Sequence, residues 1–86
     1  MAKSNTKLVY DKEEDILNLS RGVPSQASIE VGDFIIDIDP KGFVSAIEIL
    51  NASDNLNFSK EFLEQINSAS MSIIYRPDYI KIIISF

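Results

Sequence analysis

The sequence predicts a small α+β fold, an antiparallel, meander-like β-sheet of about seven short strands with one helix packed on it. Three observations support this prediction. Apolar and polar residues alternate with period two along most of the chain, turn residues separate the alternating segments, and a single segment carries the apolar stripe of a helix. With 86 residues, 45% of them hydrophobic and 24% charged, the chain suits one globular domain.

The expected domain, residues 1–86, divides into four segments. Residues 1–6 are polar and expected to be flexible, and residues 7–53 hold the first five strands. The helix and its flanks occupy residues 54–69, and residues 70–86 form a C-terminal β-hairpin. The strands are expected at residues 7–10, 15–19, 27–31, 34–39, 43–50, 70–76 and 79–85.

The hairpin between the fourth and fifth strands can be predicted in detail. In the sequence from Asp39 to Phe43, proline presets φ for the first turn position and Gly42 can adopt a left-handed conformation, which indicates a type I turn with a G1 bulge. Asp39 should then pair with Phe43, Ile38 with Val44, Ile36 with Ala46 and Phe34 with Glu48.

This register leaves neither side of the sheet uniformly polar. We therefore expect one side to be covered by the helix and the other by something else, such as a partner protein or a second copy. The residues expected at that interface are Ile35, Phe43, Ile47 and Ile49.

The helix should begin after Ser59, whose hydroxyl can cap the free amides of the first turn. Phe58 and Leu63 stand at the two positions of a hydrophobic staple. The apolar stripe is narrow, so the helix should lie on the sheet and end near Asn67 or Ser68.

The last strand alternates cleanly, with Ile80, Ile82, Ile84 and Phe86 on one side. A wide loop through residues 76–79 should join it to the strand before, because Pro77 cannot supply the positive φ of a two-residue turn. An unpaired strand this apolar would aggregate, so we expect it to be central in the sheet or paired across a subunit boundary.

Composition argues against several classes of function. The 13 acidic and 8 basic residues give a net charge of −5, and the basic residues are scattered, which disfavours nucleic-acid binding. The chain has no histidine and no cysteine, which removes the commonest general base, thiolate chemistry and the commonest zinc ligands. No apolar run is long enough to span a bilayer. We expect a cytoplasmic protein without a cofactor.

Several motifs in residues 7–53 resemble a known prokaryotic family, the domain of unknown function 2283. They are YD at residues 10–11, DILNL at 15–19, IDID at 36–39, Gly42 and IEILNAS at 47–53. Ala46 stands where that family would have glycine, and Asn18 where an aromatic residue is commoner. The resemblance implies a small β-rich domain without an established activity. Because some members lie beside toxin-like genes, it also implies a protein partner and an antitoxin-like role.

Carboxylates suggest a competing function. Asp33, Asp37 and Asp39 share one strand side, where alternate residues stand about 7 Å apart, and they could bind Mg²⁺ or Ca²⁺. The predicted register places Glu48 on a mostly apolar side, where its pKa would be perturbed. We favour a non-enzymatic interaction module that binds itself or another protein. The alternative is a small metal-dependent hydrolase using Asp37, Asp39 and Glu48.

Overall fold

A computed structural model describes residues 6–86 of the chain. This part has the α+β fold expected from the sequence, with seven antiparallel strands in two sheets and two short helices. The expected flexibility of residues 1–6 concerns a segment that lies, except for residue 6, outside the described residues. The strands are β1 (Lys7–Asp11), β2 (Ile16–Ser20), β3 (Ala27–Val31), β4 (Phe34–Ile38), β5 (Val44–Ile49), β6 (Ser70–Tyr75) and β7 (Ile80–Ser85); the helices are α1 (Ala52–Leu56) and α2 (Lys60–Gln65).

The larger sheet has five strands in the order β1-β2-β5-β4-β3. Only β3, β4 and β5 of the expected seven-strand sheet form a continuous meander, while β5 also pairs with β2 and so joins the first hairpin to it. Strands β6 and β7 form a separate two-stranded sheet. The molecule is therefore a two-layer structure in which the layers differ in width by three strands.

The core lies between the two sheets. Leu17 and Leu19 of β2 and Ile47 and Ile49 of β5 are almost fully buried on the side of the larger sheet that we call the inward side. Full burial of one such aliphatic side chain contributes about 1.5–3 kcal/mol. The cover comes from α1, α2 and the inward residues of β6 and β7, of which Met71 is buried.

The predicted register is confirmed at the turn and wrong beyond it. The Asp39 amide donates to the Phe43 carbonyl at 2.8 Å, and Ile38 pairs with Val44. The pairing then shifts at a β-bulge, and the next pair is Asp37 with Ala46. Ser45, between Val44 and Ala46, is the extra residue; it is buried, and its hydroxyl donates to the Asp37 carbonyl at 3.2 Å.

The bulge exchanges the two sides of β5. Ile36 now pairs with Ile47 and Phe34 with Ile49, so both isoleucines point inward, while Glu48 points outward opposite Ile35. A one-residue slip in a strand moves every following side chain to the other side of the sheet. The slip is favourable because the regular register would have buried a carboxylate and exposed two isoleucines.

The helical region differs from the prediction in two respects. Ser59 caps α2 as expected, and its hydroxyl accepts from the Phe62 amide at 3.1 Å. The helix ends earlier, at Gln65, because Ile66 takes an extended conformation. The additional helix α1 was not predicted, since its N-cap residue Asn51 is left-handed and provides no side-chain cap. Neither of the two helices in the described part of the chain, at five and six residues, could span a bilayer.

The last strand is not central. The connection between β6 and β7 spans residues 76–79 as expected, but β7 pairs only with β6 among the described residues and leaves its other edge free. The reason is that the smaller sheet serves as a cover for the larger one and does not join it. Pairing of β7 across a subunit boundary stays a prediction.

Candidate functional site

Three of the family-like motifs, YD, DILNL and IEILNAS, meet at the carboxylate of Asp15. This residue is the last of the β1–β2 turn and has a left-handed conformation with φ of 58°. Its carboxylate accepts hydrogen bonds from the Tyr10 hydroxyl at 2.7 Å, from the Ser53 hydroxyl at 2.7 Å and from the Ser53 amide at 3.1 Å. Its carbonyl accepts from the Ala52 amide at 2.9 Å. Asp15 therefore supplies the cap that α1 lacks in its own sequence.

The titration of this cluster reflects a structural role. Burial favours the neutral form of Asp15, but the hydrogen bonds from Ser53 and Tyr10 outweigh it, so the pKa of Asp15 lies below its ordinary value. Burial and the neighbouring Asp15 carboxylate raise the pKa of the Tyr10 hydroxyl. Asp15 is thus an ionised acceptor saturated by donors, which suits a cap and does not suit a general base.

A second cluster anchors the other side of α1. The Asp33 carboxylate accepts from the side-chain amides of Asn55 at 3.0 Å and Asn51 at 3.3 Å. The Leu50 amide donates to the Asp33 carbonyl at 2.8 Å. Asp33, expected among the cation ligands, instead ties the β3–β4 turn to α1.

The proposed metal ligands are not brought together. Asp37 accepts from the Ser28 hydroxyl at 2.6 Å, and Asp39 accepts from the Lys41 and Phe43 amides at 2.9 Å each. Glu48 lies on the outward side between polar Asn18 and apolar Ile35, and not on the mostly apolar side that the regular register implied. Across residues 6–86, no three acidic side chains are arranged to hold a metal ion. Asp37, Asp39 and Glu48 therefore do not form a three-carboxylate group, and the hydrolase alternative stays a prediction.

The four predicted interface residues occupy three different environments. Ile47 and Ile49 are 2% and 0% exposed in the core, so their assignment to a surface is wrong, because the bulge turned them inward. Ile35 is half-buried on the outward side. Phe43 is 47% exposed beside the turn and packs edge-to-face on Tyr75, with ring centroids 5.3 Å apart. These residues do not form one surface.

An apolar surface that the sequence reasoning missed lies where the two sheets part. The inward residues Ile29 and Val31 of β3 remain 50% and 59% exposed, because the smaller sheet does not reach over them. A groove of about 230 Å³ separates β3 and β4 from β7; its lining residues are Val31, Phe34, Ile36, Ile47, Ile82 and Ile84. We call this groove, with the free edges of β3 and β7, the open side.

The open side had a signal in the sequence. Ala27, Ile29 and Val31 alternate with polar residues in β3, and isoleucines occupy the inward positions of β7, although outward Ile83 is also apolar. Each pattern indicates one apolar face. Only the structure shows that both faces border the same groove.

A second cleft, of about 500 Å³, lies between the β2–β3 loop and the β4–β5 turn. Two of its polar side chains are partly engaged within the chain, although the buried Nε of Arg21 has no hydrogen-bond partner among the described residues. Arg21 donates from Nη1 to the Val44 carbonyl at 3.2 Å, and Asp39 receives the two turn amides described above. The open side is the stronger candidate for a protein-binding site, because it combines an apolar groove with two free strand edges.

Comparison with known proteins agrees with the resemblance in the motifs. The model of the family described as Protein of unknown function (DUF2283) matches residues 7–53, which is more than half of the chain. The uncharacterized protein MJ0789 of Methanocaldococcus jannaschii is 42% identical over 55 residues, a match that covers 63% of this chain and 47% of that protein. The chain thus spans about half the length of this curated relative. No solved structure matches the chain. With a family match over residues 7–53 that contains the Tyr10, Asp15 and Ser53 cluster, the chain belongs to the DUF2283 family.

Proposed function

We propose that the protein is a non-enzymatic interaction module that binds a protein through the open side. The observation that carries this proposal is the coincidence of two free strand edges and one apolar groove. A free edge offers unpaired amides and carbonyls to an added strand, and the groove offers apolar contacts to alternate side chains of that strand.

The dimensions of the open side suit an extended segment. A 150 Å³ apolar cavity holds a benzene molecule, so a groove of about 230 Å³ has room for two aliphatic side chains. Burying the exposed halves of Ile29 and Val31 would contribute about 1 kcal/mol each. Main-chain hydrogen bonds along β3, with five residues, or β7, with six, would add to this.

A matched pair of substitutions tests the proposal. Val31 on the open side and Val9 on the outward side of β1 are 59% and 50% exposed, so lysine is tolerated at both positions in the isolated chain. We expect Val31→Lys to weaken binding at least about tenfold, because a charge in an apolar contact must be desolvated. Val9→Lys should leave binding unchanged.

The measurement compares the tagged variants in quantitative pull-down and in light scattering, so that both a foreign partner and a second copy are detected. A partner that is lost with Val31→Lys and retained with Val9→Lys supports the proposal. Equal retention by the two variants would show that binding occurs elsewhere.

An antitoxin-like role is a special case of this proposal, suggested by the family resemblance. It requires a toxin as the bound partner, with the open side in contact with it. Inhibition of that toxin by the wild-type protein and not by Val31→Lys is the expected result.

A further inference from the structure

We infer that the open side binds the open side of a second copy of this chain, with β3 of each copy lying beside β7 of the other. The inference rests on the proposed function and names its partner. Three features of the described residues support it: the charges on the two edge strands, the unequal widths of the two sheets, and the two free edges that such an arrangement would remove.

The charges on the edge strands favour pairing of β3 with β7 over pairing of either strand with its own copy. The charged residue of β3 is Glu30, and the charged residue of β7 is Lys81; both are exposed. Each points outward, because the residues that alternate with it line the inward side. Placing β3 beside β7 of a second copy brings Glu30 near a lysine. Pairing β3 with β3, or β7 with β7, would instead bring like charges near each other.

The inward positions are compatible with the same arrangement. In β3 they are Ala27, Ile29 and Val31, and in β7 they are isoleucines. None carries a charge or a buried polar group that a second copy would leave without a partner. The inward side of a mixed β3–β7 layer would therefore be continuous and apolar.

The widths of the sheets make the two open sides complementary. Ile29 and Val31 are about half exposed, whereas Ile36 and Phe34 on the neighbouring strand are partly buried against the core. The larger sheet thus projects beyond β7 by about one strand, a distance of about 4.8 Å. In a two-fold arrangement, the projecting β3 of each copy fills the space next to β7 of the other.

Such an arrangement is a closed dimer, which leaves no open side for a third copy. Each layer would combine the five-stranded sheet of one copy with the two-stranded sheet of the other, and the contact would use the same surface in both copies. The exposed edges of β3 and β7 would disappear, which removes a hazard for aggregation. This satisfies the expectation that the apolar last strand is paired across a subunit boundary.

Cysteine cross-linking tests the contact directly, because the chain contains no cysteine. One variant carries Glu30→Cys and a second carries Lys81→Cys, both at exposed outward positions. Neighbouring cross-strand residues have Cβ atoms about 4.5–5.5 Å apart, close enough for a disulfide after small adjustments. Ser28→Cys and Ile83→Cys, two residues along each strand, cover a shifted register.

Mild oxidation of a mixture of β3 and β7 variants should yield a disulfide-linked dimer, faster than oxidation of either variant alone. Lys7→Cys, on the exposed outward side of β1, is the control and should not link to either strand. Preferential linking within a single variant, or equal linking to Lys7→Cys, would overturn the inference.

Charge reversal gives a second, independent readout. Two exposed ion pairs per dimer correspond to a change of about 2- to 30-fold in Kd. We expect Glu30→Lys and Lys81→Glu each to weaken the dimer by this factor, and the double variant to restore it. A double variant as weak as either single variant, or a monomeric wild-type protein at about 100 μM, would overturn the inference.

These outcomes distinguish failure of the proposed dimer from failure of the proposed function. If the wild-type protein is monomeric while binding of another protein remains sensitive to Val31→Lys, the second copy is the wrong partner and the proposed function stands. If Val31→Lys alters no binding at all, both the inference and the proposed function fail.

Discussion

Replacing Asp15 by asparagine would test whether the cluster of family motifs holds the fold together. Asparagine has nearly the same shape and tolerates the left-handed conformation that Asp15 adopts at φ of 58°. The change removes the charge and turns one acceptor oxygen into a donor. The new side-chain amide would then face either the Tyr10 hydroxyl or the Ser53 hydroxyl and amide, which are themselves donors.

The expected loss follows from the contacts. Hydrogen bonds to a charged group contribute about 1.5–3 kcal/mol each, and removing one partner of a buried pair also leaves the other unsatisfied. The Tyr10 and Ser53 hydroxyls both lose a charged acceptor, while reorientation of their hydrogens recovers part of the loss. We therefore expect Asp15→Asn to lower the free energy of unfolding by about 2–4 kcal/mol. A chain of this length has roughly 4–13 kcal/mol in total.

Urea unfolding followed by circular dichroism measures this loss. For a small domain with an m value near 1 kcal/mol/M, the midpoint should fall by about 2–4 M. Glu13→Gln is the control, since it removes one negative charge from the same loop at an exposed position. If the free energies of unfolding of the two variants lie within about 0.5 kcal/mol of each other, the Asp15 carboxylate does not cap α1 and the reasoning is wrong.

Four further outcomes follow from other contacts. The folded-state pKa of Asp15 is lowered, so the stability that its carboxylate contributes is complete above the unfolded-state pKa near 3.9 and is lost as pH falls through the folded-state pKa. The unfolding free energies of wild type and Asp15→Asn, measured in urea titrations, should therefore converge below about pH 4. Leu63→Ala should cost about 2–5 kcal/mol in the same titrations, since Leu63 is fully buried between α2 and the core. Ser59→Ala should cost about 1 kcal/mol by removing the cap on the Phe62 amide, and a retained midpoint would show that water replaces the hydroxyl. Gly42→Ala should lower the thermal midpoint by the equivalent of about 1–3 kcal/mol, because φ at position 42 is 90°; unchanged melting would mean that the turn rearranges without cost.

Local features of the fold were predictable from the sequence. The β3 strand has the predicted bounds, and Ser59 caps α2, because alternation and capping depend on neighbouring residues alone. The turn at Gly42 is confirmed for the same reason. The bulge at Ser45 was missed although a signal existed, since the sequence Ile47-Glu48-Ile49 by itself favours burial of the two isoleucines.

The candidate site was less predictable, because it depends on contacts between distant segments. Asp15 and Ser53 are 38 residues apart, and the cap that Asp15 provides for α1 leaves no local trace in the helix sequence. Val31 and Ile84 face the same groove, yet no spacing along the chain relates them. The predicted interface failed at Ile47 and Ile49 since one extra residue reversed their orientation.

The amino-acid sequence by itself determined the order of the seven strands and α2, the absence of histidine and cysteine chemistry, and the apolar faces of β3 and β7. Only the tertiary structure decided which faces meet, since burial is a property of the layers together and a two-stranded sheet cannot cover a five-stranded one. The part of the inward side left uncovered at Ile29 and Val31 is the physical basis of the proposed interaction.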